Sequence, residues 1–205
     1  MHTVRLDESN RAAMRTHFLS LGTEDRRLRF GFTARDATIE RYVSDIDFSR
    51  DAAFGVRGKG MQFDGITHLA LENNHAEIGV SVLEPARGRG VGSALVARAA
   101  MHARNRGIKV LFMQCLSENG AIMHIARSLG MKVVTEGPDS EARLSLPAAS
   151  PHSILRELLV DQIALCDATL GDALLKAEIH KAPSARGHVT KYLLKSNIYG
   201  DIVAG

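Results

Sequence analysis

The segment Arg87-Gly88-Arg89-Gly90-Val91-Gly92-Ser93 packs glycine and positive charge into a short stretch. Its natural chemistry is anion binding. Gly88, Gly90 and Gly92 let the backbone bend tightly and keep side chains out of the bend. If a helix follows, its first N–H groups point into that bend and its dipole favours negative charge there. Arg87 and Arg89 place cations at the rim. The spacing therefore reads as a main-chain cradle for a pyrophosphate.

Two familiar phosphate loops do not fit these residues. A Walker loop ends in Gly-Lys-Ser/Thr, which grips phosphates and Mg²⁺, and no lysine stands here. A dinucleotide fingerprint needs G-x-G-x-x-G, but Ser93 occupies the third glycine position. It also needs an acidic ribose partner about 20 residues on, and Glu118 comes too late. A regulator that binds another nucleotide through this loop is the weaker alternative.

The elements that must position the loop can be read around it. Ala76–Leu83 is rich in β-branched residues and predicts a strand running into the loop. Asn73-Asn74 turns it back onto a strand over 66–72, and 51–56 predicts another. Beyond the loop, Leu95, Val96, Ala99 and Ala103 recur at helical spacing, so 91–106 predicts an amphipathic helix that stops at Gly107. The apolar run 108–116 predicts a central buried strand. A second helix covers 119–129 and closes at Gly130. Strands at 132–136 and 142–146 flank a turn at Gly137-Pro138-Asp139. Residues 1–50 read as helical, with a cap-like start at Thr23-Glu24-Asp25. After the linker Pro147–Pro151, apolar residues at 155, 158, 159, 163, 166, 170 and 174 predict helix, split near Gly171.

Composition narrows the function classes. The chain has 205 residues, 45% hydrophobic and 24% charged, which suits a globular core and excludes global disorder. Its two cysteines cannot build a disulfide framework. No apolar run is long enough to span a bilayer, and the first residues lack the apolar core of a secretion signal. A cytoplasmic protein without a membrane partner is the expectation. Net charge is only +3, and with no tryptophan and 5% aromatic residues, base-stacking platforms are scarce. No nucleic-acid partner is expected. The nine histidines show no close paired spacing, so no metal site is expected.

Arg87-Gly88-Arg89-Gly90-Val91-Gly92 matches R/Q-x-x-G-x-G/A, the signature of the GNAT N-acetyltransferase superfamily. The resemblance continues upstream through Ala76–Val82, which is similar to that family's fourth strand. Downstream it continues through Asn119 and Leu129-Gly130-Met131, similar to its N-x-x-A…L-G-F region. It covers about residues 51–146 in register. Leu21-Gly22-Thr23-Glu24 through Arg29-Phe30 is similar to the opening of a bacterial subgroup that includes protein-lysine acetyltransferase domains.

The resemblance implies an α/β (α+β) GNAT fold, a mixed central β-sheet flanked by helices, over residues 1–147. Residues 1–50 would form a helical part and 51–146 the acyl-CoA-binding core, with a helical extension at 148–205. It implies acetyl-CoA, or another acyl-CoA, as co-substrate, and an amine acceptor that is a small molecule or a protein lysine. The pyrophosphate would lie on backbone N–H groups from Arg87, Gly88, Arg89, Gly90, Val91, Gly92 and Ser93. The pantetheine arm would run along Val80 and Val82, and Asn119 would reach it from the other side. Two parallel strands, 76–83 and 108–116, would splay to admit it.

Many members of the family carry a tyrosine seven residues after the asparagine as general acid. Here that position is Ala126. Ser117 and Cys115 are the alternative donors near the end of the neighbouring strand. Glu77 is the favoured base, because the family often carries a glutamate at the start of this strand. Strand alternation puts it on the face shared with Gly79 and Ser81. Glu72, with His68 and His75, is second. The reading is therefore an N-acyltransferase acting by direct attack in a ternary complex. The alternative is an acyl-CoA-binding module without turnover. The tail stripe would pack on its own domain or on a second copy, a homodimer being the favoured assembly.

Overall fold

A computed structural model describes residues 2–58, 62–164 and 166. Residues 1–165 form one compact unit. The expected helical tail beyond residue 166 lies outside the described residues.

A seven-stranded mixed sheet forms the centre, in the order β1-β2-β3-β4-β5-β7-β6. Its strands are β1 (Thr3–Leu6), β2 (Ala52–Arg57), β3 (Phe63–Glu72), β4 (His75–Val82), β5 (Val110–Leu116), β6 (Lys132–Glu136) and β7 (Asp139–Ser145). Only β4 and β5 are parallel; every other neighbouring pair is antiparallel. The β3–β4 turn contains Asn73 at φ 48°, as its Asn-Asn sequence leads one to expect.

The helices are α1 (Arg11–Leu19), α2 (Thr23–Phe30), α3 (Asp36–Ser44), α4 (Val91–Asn105) and α5 (Gly120–Ser128). Residues 151–164 add a further helix, α6. α4 and α5 cover one face of the sheet, where Leu95, Val96 and Ala99 bury against Phe54, Leu69, Ile78 and Leu111. Each of the larger of these side chains, Leu, Val, Ile or Phe, removed from water contributes about 1.5–3 kcal/mol. On the opposite face Met14, Phe18, Ile39 and Val43 from α1 and α3 close over Ala53, Phe63 and Ile66.

Two local expectations change. The wholly helical reading of residues 1–50 misses β1, a four-residue edge strand that pairs with β2 from Thr3↔Val56 to Leu6↔Ala53. Its Thr-Val-Arg-Leu alternation was too short to stand out against the helices that follow. Of the two surfaces expected for the α6 stripe, its own domain is not the one covered among the described residues: Leu155, Leu158, Leu159 and Ile163 are exposed. The surface α6 meets on α4 is polar. Arg98 donates to Glu157 (2.8 Å) and Asp161 (2.6 Å), His102 donates to Glu157 (2.7 Å), and Asn105 donates to Glu157 (2.6 Å). Among the described residues no helix is long and apolar enough to cross a membrane.

Candidate active site

β4 and β5 stay paired only over His75↔Val110, Ala76↔Leu111 and Glu77↔Phe112. Beyond these pairs the strands part. β5 keeps its ladder with β7 on its other edge, while β4 continues to Val82 along β3. A cleft of about 520 Å³ opens at the separation, lined by Val80 and Val82 of β4, by the glycine loop and by Asn119, Ile122 and Ile125. α2 forms its far wall through Asp25, Leu28 and Arg29.

The loop at the mouth of the cleft has the predicted character. Gly88 and Gly90 sit at φ 71° and 79°, a conformation in which a side chain would be strained. Gly90 is the N-cap of α4 and no side chain caps it. The N–H groups of Gly88, Arg89, Gly90, Val91, Gly92 and Ser93 have no hydrogen-bond partner among the described residues. Six unpaired donors at a helix N-terminus fit a pyrophosphate. Arg87 donates to Asp25 of α2 (2.6 Å) and to the Val82 carbonyl (3.3 Å), so it ties the loop to the wall of the cleft. Arg89 stands outside the cleft lining and pairs with Asp64 (3.6 Å).

Asn119 lines the cleft and also has a structural task. Its side chain accepts from the Ile122 N–H (3.2 Å), capping α5, and donates to the Leu28 carbonyl (3.5 Å). Glu77 is exposed on β4, forms the last β4–β5 pair with Phe112, and lies outside the cleft lining. Ser117 lies away from the cleft: its hydroxyl contacts the Gly137 carbonyl (3.0 Å) and Ser140 (3.1 Å) at the β5–β7 end. Cys115 faces Met123 and the Ser140 carbonyl, and burial pushes its thiol up. Ala126 is buried in the core of the sheet.

Sequence reasoning missed a polar chain beneath β4. Arg29 Nη2 donates to the Tyr42 hydroxyl (2.8 Å), Tyr42 contacts His68 Nδ1 (2.9 Å), and His68 Nε2 contacts Asp51 (3.3 Å). Arginine can only donate, so the Tyr42 oxygen accepts and its proton goes to His68 Nδ1. The imidazole then carries its hydrogen on Nε2 and donates to Asp51. Burial, and then the nearby Arg29 cation, lower the His68 pKa, in keeping with a neutral ring. Burial pushes the Tyr42 phenol up, so it keeps its proton. Burial opposes ionisation of Asp51, but hydrogen bonding from Arg50 and the nearby His68 hold its carboxyl below the ordinary value. Next to this chain, His17 donates to the Phe63 carbonyl (2.8 Å) and accepts from Ser81 (2.8 Å). The signals available in the sequence were His68, named there only beside Glu72 and His75, and the alternation that puts Glu77, Gly79 and Ser81 on this face.

The acetyltransferase (GNAT) family profile matches residues 52–131, which span β2 to the end of α5 and include the loop and the cleft. This chain carries a GNAT acetyltransferase-family domain. No curated protein matches the chain in sequence. Solved structures share the fold. The GNAT domain of S. lividans PAT is 18% identical over 70% of this chain and 89% of that one, with a TM-score of 0.61. Ribosomal-protein-alanine N-acetyltransferase from Brucella melitensis is 16% identical over 71% of this chain and 100% of that one, at 0.56. Salmonella typhimurium yncA, solved with its cofactor acetyl-CoA, is 16% identical over 73% of this chain and 96% of that one, at 0.56. Among the described residues of the GNAT domain and its flanks, no group of three or more metal-ligating side chains comes together.

Proposed function

We propose that the protein is an N-acyltransferase that moves an acetyl or other acyl group from coenzyme A to a primary amine, by direct attack in a ternary complex. The observation that carries this reading is the row of unpaired main-chain N–H groups at the mouth of a cleft between parting strands. Bound acyl-CoA would supply an activated thioester. Residues Gly88 to Ser93 bind its diphosphate through their N–H groups, and Arg87 adds charge. The free edge of β4 at Val80 and Val82 pairs with the pantetheine amides, and Asn119 closes the opposite side.

The amine nitrogen attacks the thioester carbonyl, an amide forms, and the C–S bond breaks to release thiolate. A thiol of pKa about 8.5 is a tolerable leaving group, so a dedicated acid is not essential. That accommodates Ala126. Glu77 takes the amine proton, directly or through water, from the face it shares with Gly79. Positioning in the cleft supplies much of the remaining rate. Ser117, turned toward Gly137 and Ser140, has no part in this scheme.

Calorimetry with acetyl-CoA, paired with thiol release across a panel of amines, tests the reading. Binding with turnover that falls sharply in Glu77→Gln supports it. Absence of affinity for coenzyme A overturns it. Ala126 also favours a second reading, a non-catalytic acyl-CoA-binding module, which predicts tight binding without thiol release on any amine.

A further inference from the structure

Of the three arginines on α2, two are neutralised by carboxylates. Arg26 pairs with Asp36 (2.6 Å), and Arg27 pairs with Glu24 (2.7 Å) and Glu118 (2.6 Å). Arg29 has no carboxylate partner among the described residues, although it is the one that lines the cleft. Its guanidinium carbon lies 5.0 Å from the Phe30 ring, 5.5 Å from Tyr42 and 5.9 Å from Phe18. Its Nε is buried with no partner, and Nη1 also makes no hydrogen bond. Only Nη2 is engaged, by Tyr42. Aromatic faces soften the cost of a desolvated cation but do not neutralise it.

The guanidinium is also held in place. Tyr42, His68 and Asp51 form a chain with one consistent direction of donation, anchored at Asp51 by Arg50 (2.9 Å). Gly79 of β4 makes the room: a Cβ there would fall on the Arg29 guanidinium. A fixed, uncompensated arginine that reaches into a cleft is arranged to receive an anion, and its planar donors suit a carboxylate. Glu77 lies two residues from Gly79 on the same face, about 7 Å along the strand. The cleft lining therefore offers a cation for a carboxylate, and Glu77, just outside that lining, offers an anion for an ammonium.

The structure assigns Arg29 the role of a specificity residue that binds a carboxylate on the substrate. The inference deepens the acyltransferase reading and rests on it. The carboxylate has two sources. It belongs to the acceptor, as in an amino acid whose amine meets Glu77, or to the acyl group of a dicarboxylic acyl-CoA.

The test compares matched substrates on the full chain. One arm uses acetyl-CoA with amino acids against their carboxamides. The other uses succinyl-CoA against acetyl-CoA with a neutral amine. Preference for the carboxylate form by at least about tenfold in kcat/KM in either arm supports the assignment, provided Arg29→Gln abolishes the preference. Acetyl-CoA affinity is measured by calorimetry in both proteins, so failure of the cofactor reading is seen separately from failure of this one. If no amine turns over, the same pairs are compared by calorimetry: acids against amides on the CoA-saturated protein, and succinyl-CoA against acetyl-CoA. Equal use or equal binding of both forms in both arms overturns the assignment, as does a preference that survives Arg29→Gln. Should Arg29→Gln fail to fold, Tyr42→Phe removes the hydrogen bond that orients the guanidinium, and the preference must then shrink.

Discussion

Arg98 on α4 and Arg29 on α2 sit on opposite faces of the sheet in similar surroundings. Each is stacked on aromatic carbon, Arg98 at 4.3 Å from the Phe54 ring and Arg29 at 5.0 Å from Phe30. Each leaves a buried Nε without a partner. They differ in what balances the charge. Arg98 meets Glu157 and Asp161 and locks α6 against the domain. Arg29 meets only a phenol. The first cation has been spent on architecture, whereas the second is held ready for a ligand. Burial and aromatic stacking alone do not distinguish a structural arginine from a functional one; the local charge balance does.

The strongest way to break this comparison is to remove the balancing carboxylate. Glu157→Ala strands Arg98 and leaves His102 and Asn105 without their acceptor, and is expected to cost about 3–5 kcal/mol in chemical denaturation. Arg29→Gln is expected to change stability by no more than about 1 kcal/mol, because lost cation–π contact is offset by relief of an unpaired charge. Equal losses in the two variants would erase the distinction.

Acid should separate the two faces. Burial holds the His17 imidazole down at about 4, from an ordinary 6.5. The folded state prefers the neutral ring, so this stabilisation is complete above pH 6.5 and is lost as pH falls towards 4, amounting to about 3 kcal/mol at its limit. At Glu157, burial works against the charge, but hydrogen bonds from His102, Arg98 and Asn105 outweigh it and hold the carboxyl at about 2. Its contribution is present above pH 4.5 and is lost only as pH falls towards 2. Melting curves from pH 7 to pH 2 should therefore show His17→Gln converging with the parent protein before Glu157→Gln does.

Gly79→Ala sharpens the comparison further. Its new methyl group pushes into the Arg29 guanidinium and is expected to cost about 1–3 kcal/mol while lowering any carboxylate preference. A smaller effect than that of Gly79→Ala is expected from Asn119→Ala, which removes the α5 cap at about 1 kcal/mol. It is also expected to weaken acetyl-CoA binding in calorimetry if Asn119 contacts the cofactor.

Much of the fold could be read from local pattern. The hairpin at Asn73-Asn74, the α4 stripe from Leu95 to Ala103 and the loop at Gly88 and Gly90 depend on neighbours in sequence, and so they were visible there. The Arg29–Tyr42–His68–Asp51 chain was not. Its members come from α2, α3, β3 and the approach to β2, and sheet register and helix packing bring them together. Asp51 read as the first residue of a strand over 51–56, yet it is buried against His68 and the Leu71 N–H (3.4 Å). Ser117 was visible as a residue after a buried strand, but the antiparallel register Leu116↔Asp139 turns its hydroxyl toward the β6–β7 turn. For α6, the spacing identified the helix correctly. Which side it buried depended on the ionic surface of α4, which periodicity does not report.

On the proposed reading, the phosphate-side grip of the cleft is made from the unpaired peptide N–H groups of the loop, not from side chains. Arg89 and Val91 could therefore drift to other residues over evolutionary time while the donors they contribute stay where they are. Selection would weigh on backbone shape at Gly88 and Gly90, and on keeping the start of α4 uncovered. The cation that the opposite wall presents has no such insurance, since a single codon change at Arg29 would remove it. Related chains could thus keep one way of holding the acyl carrier while changing, in a single step, what they choose to modify.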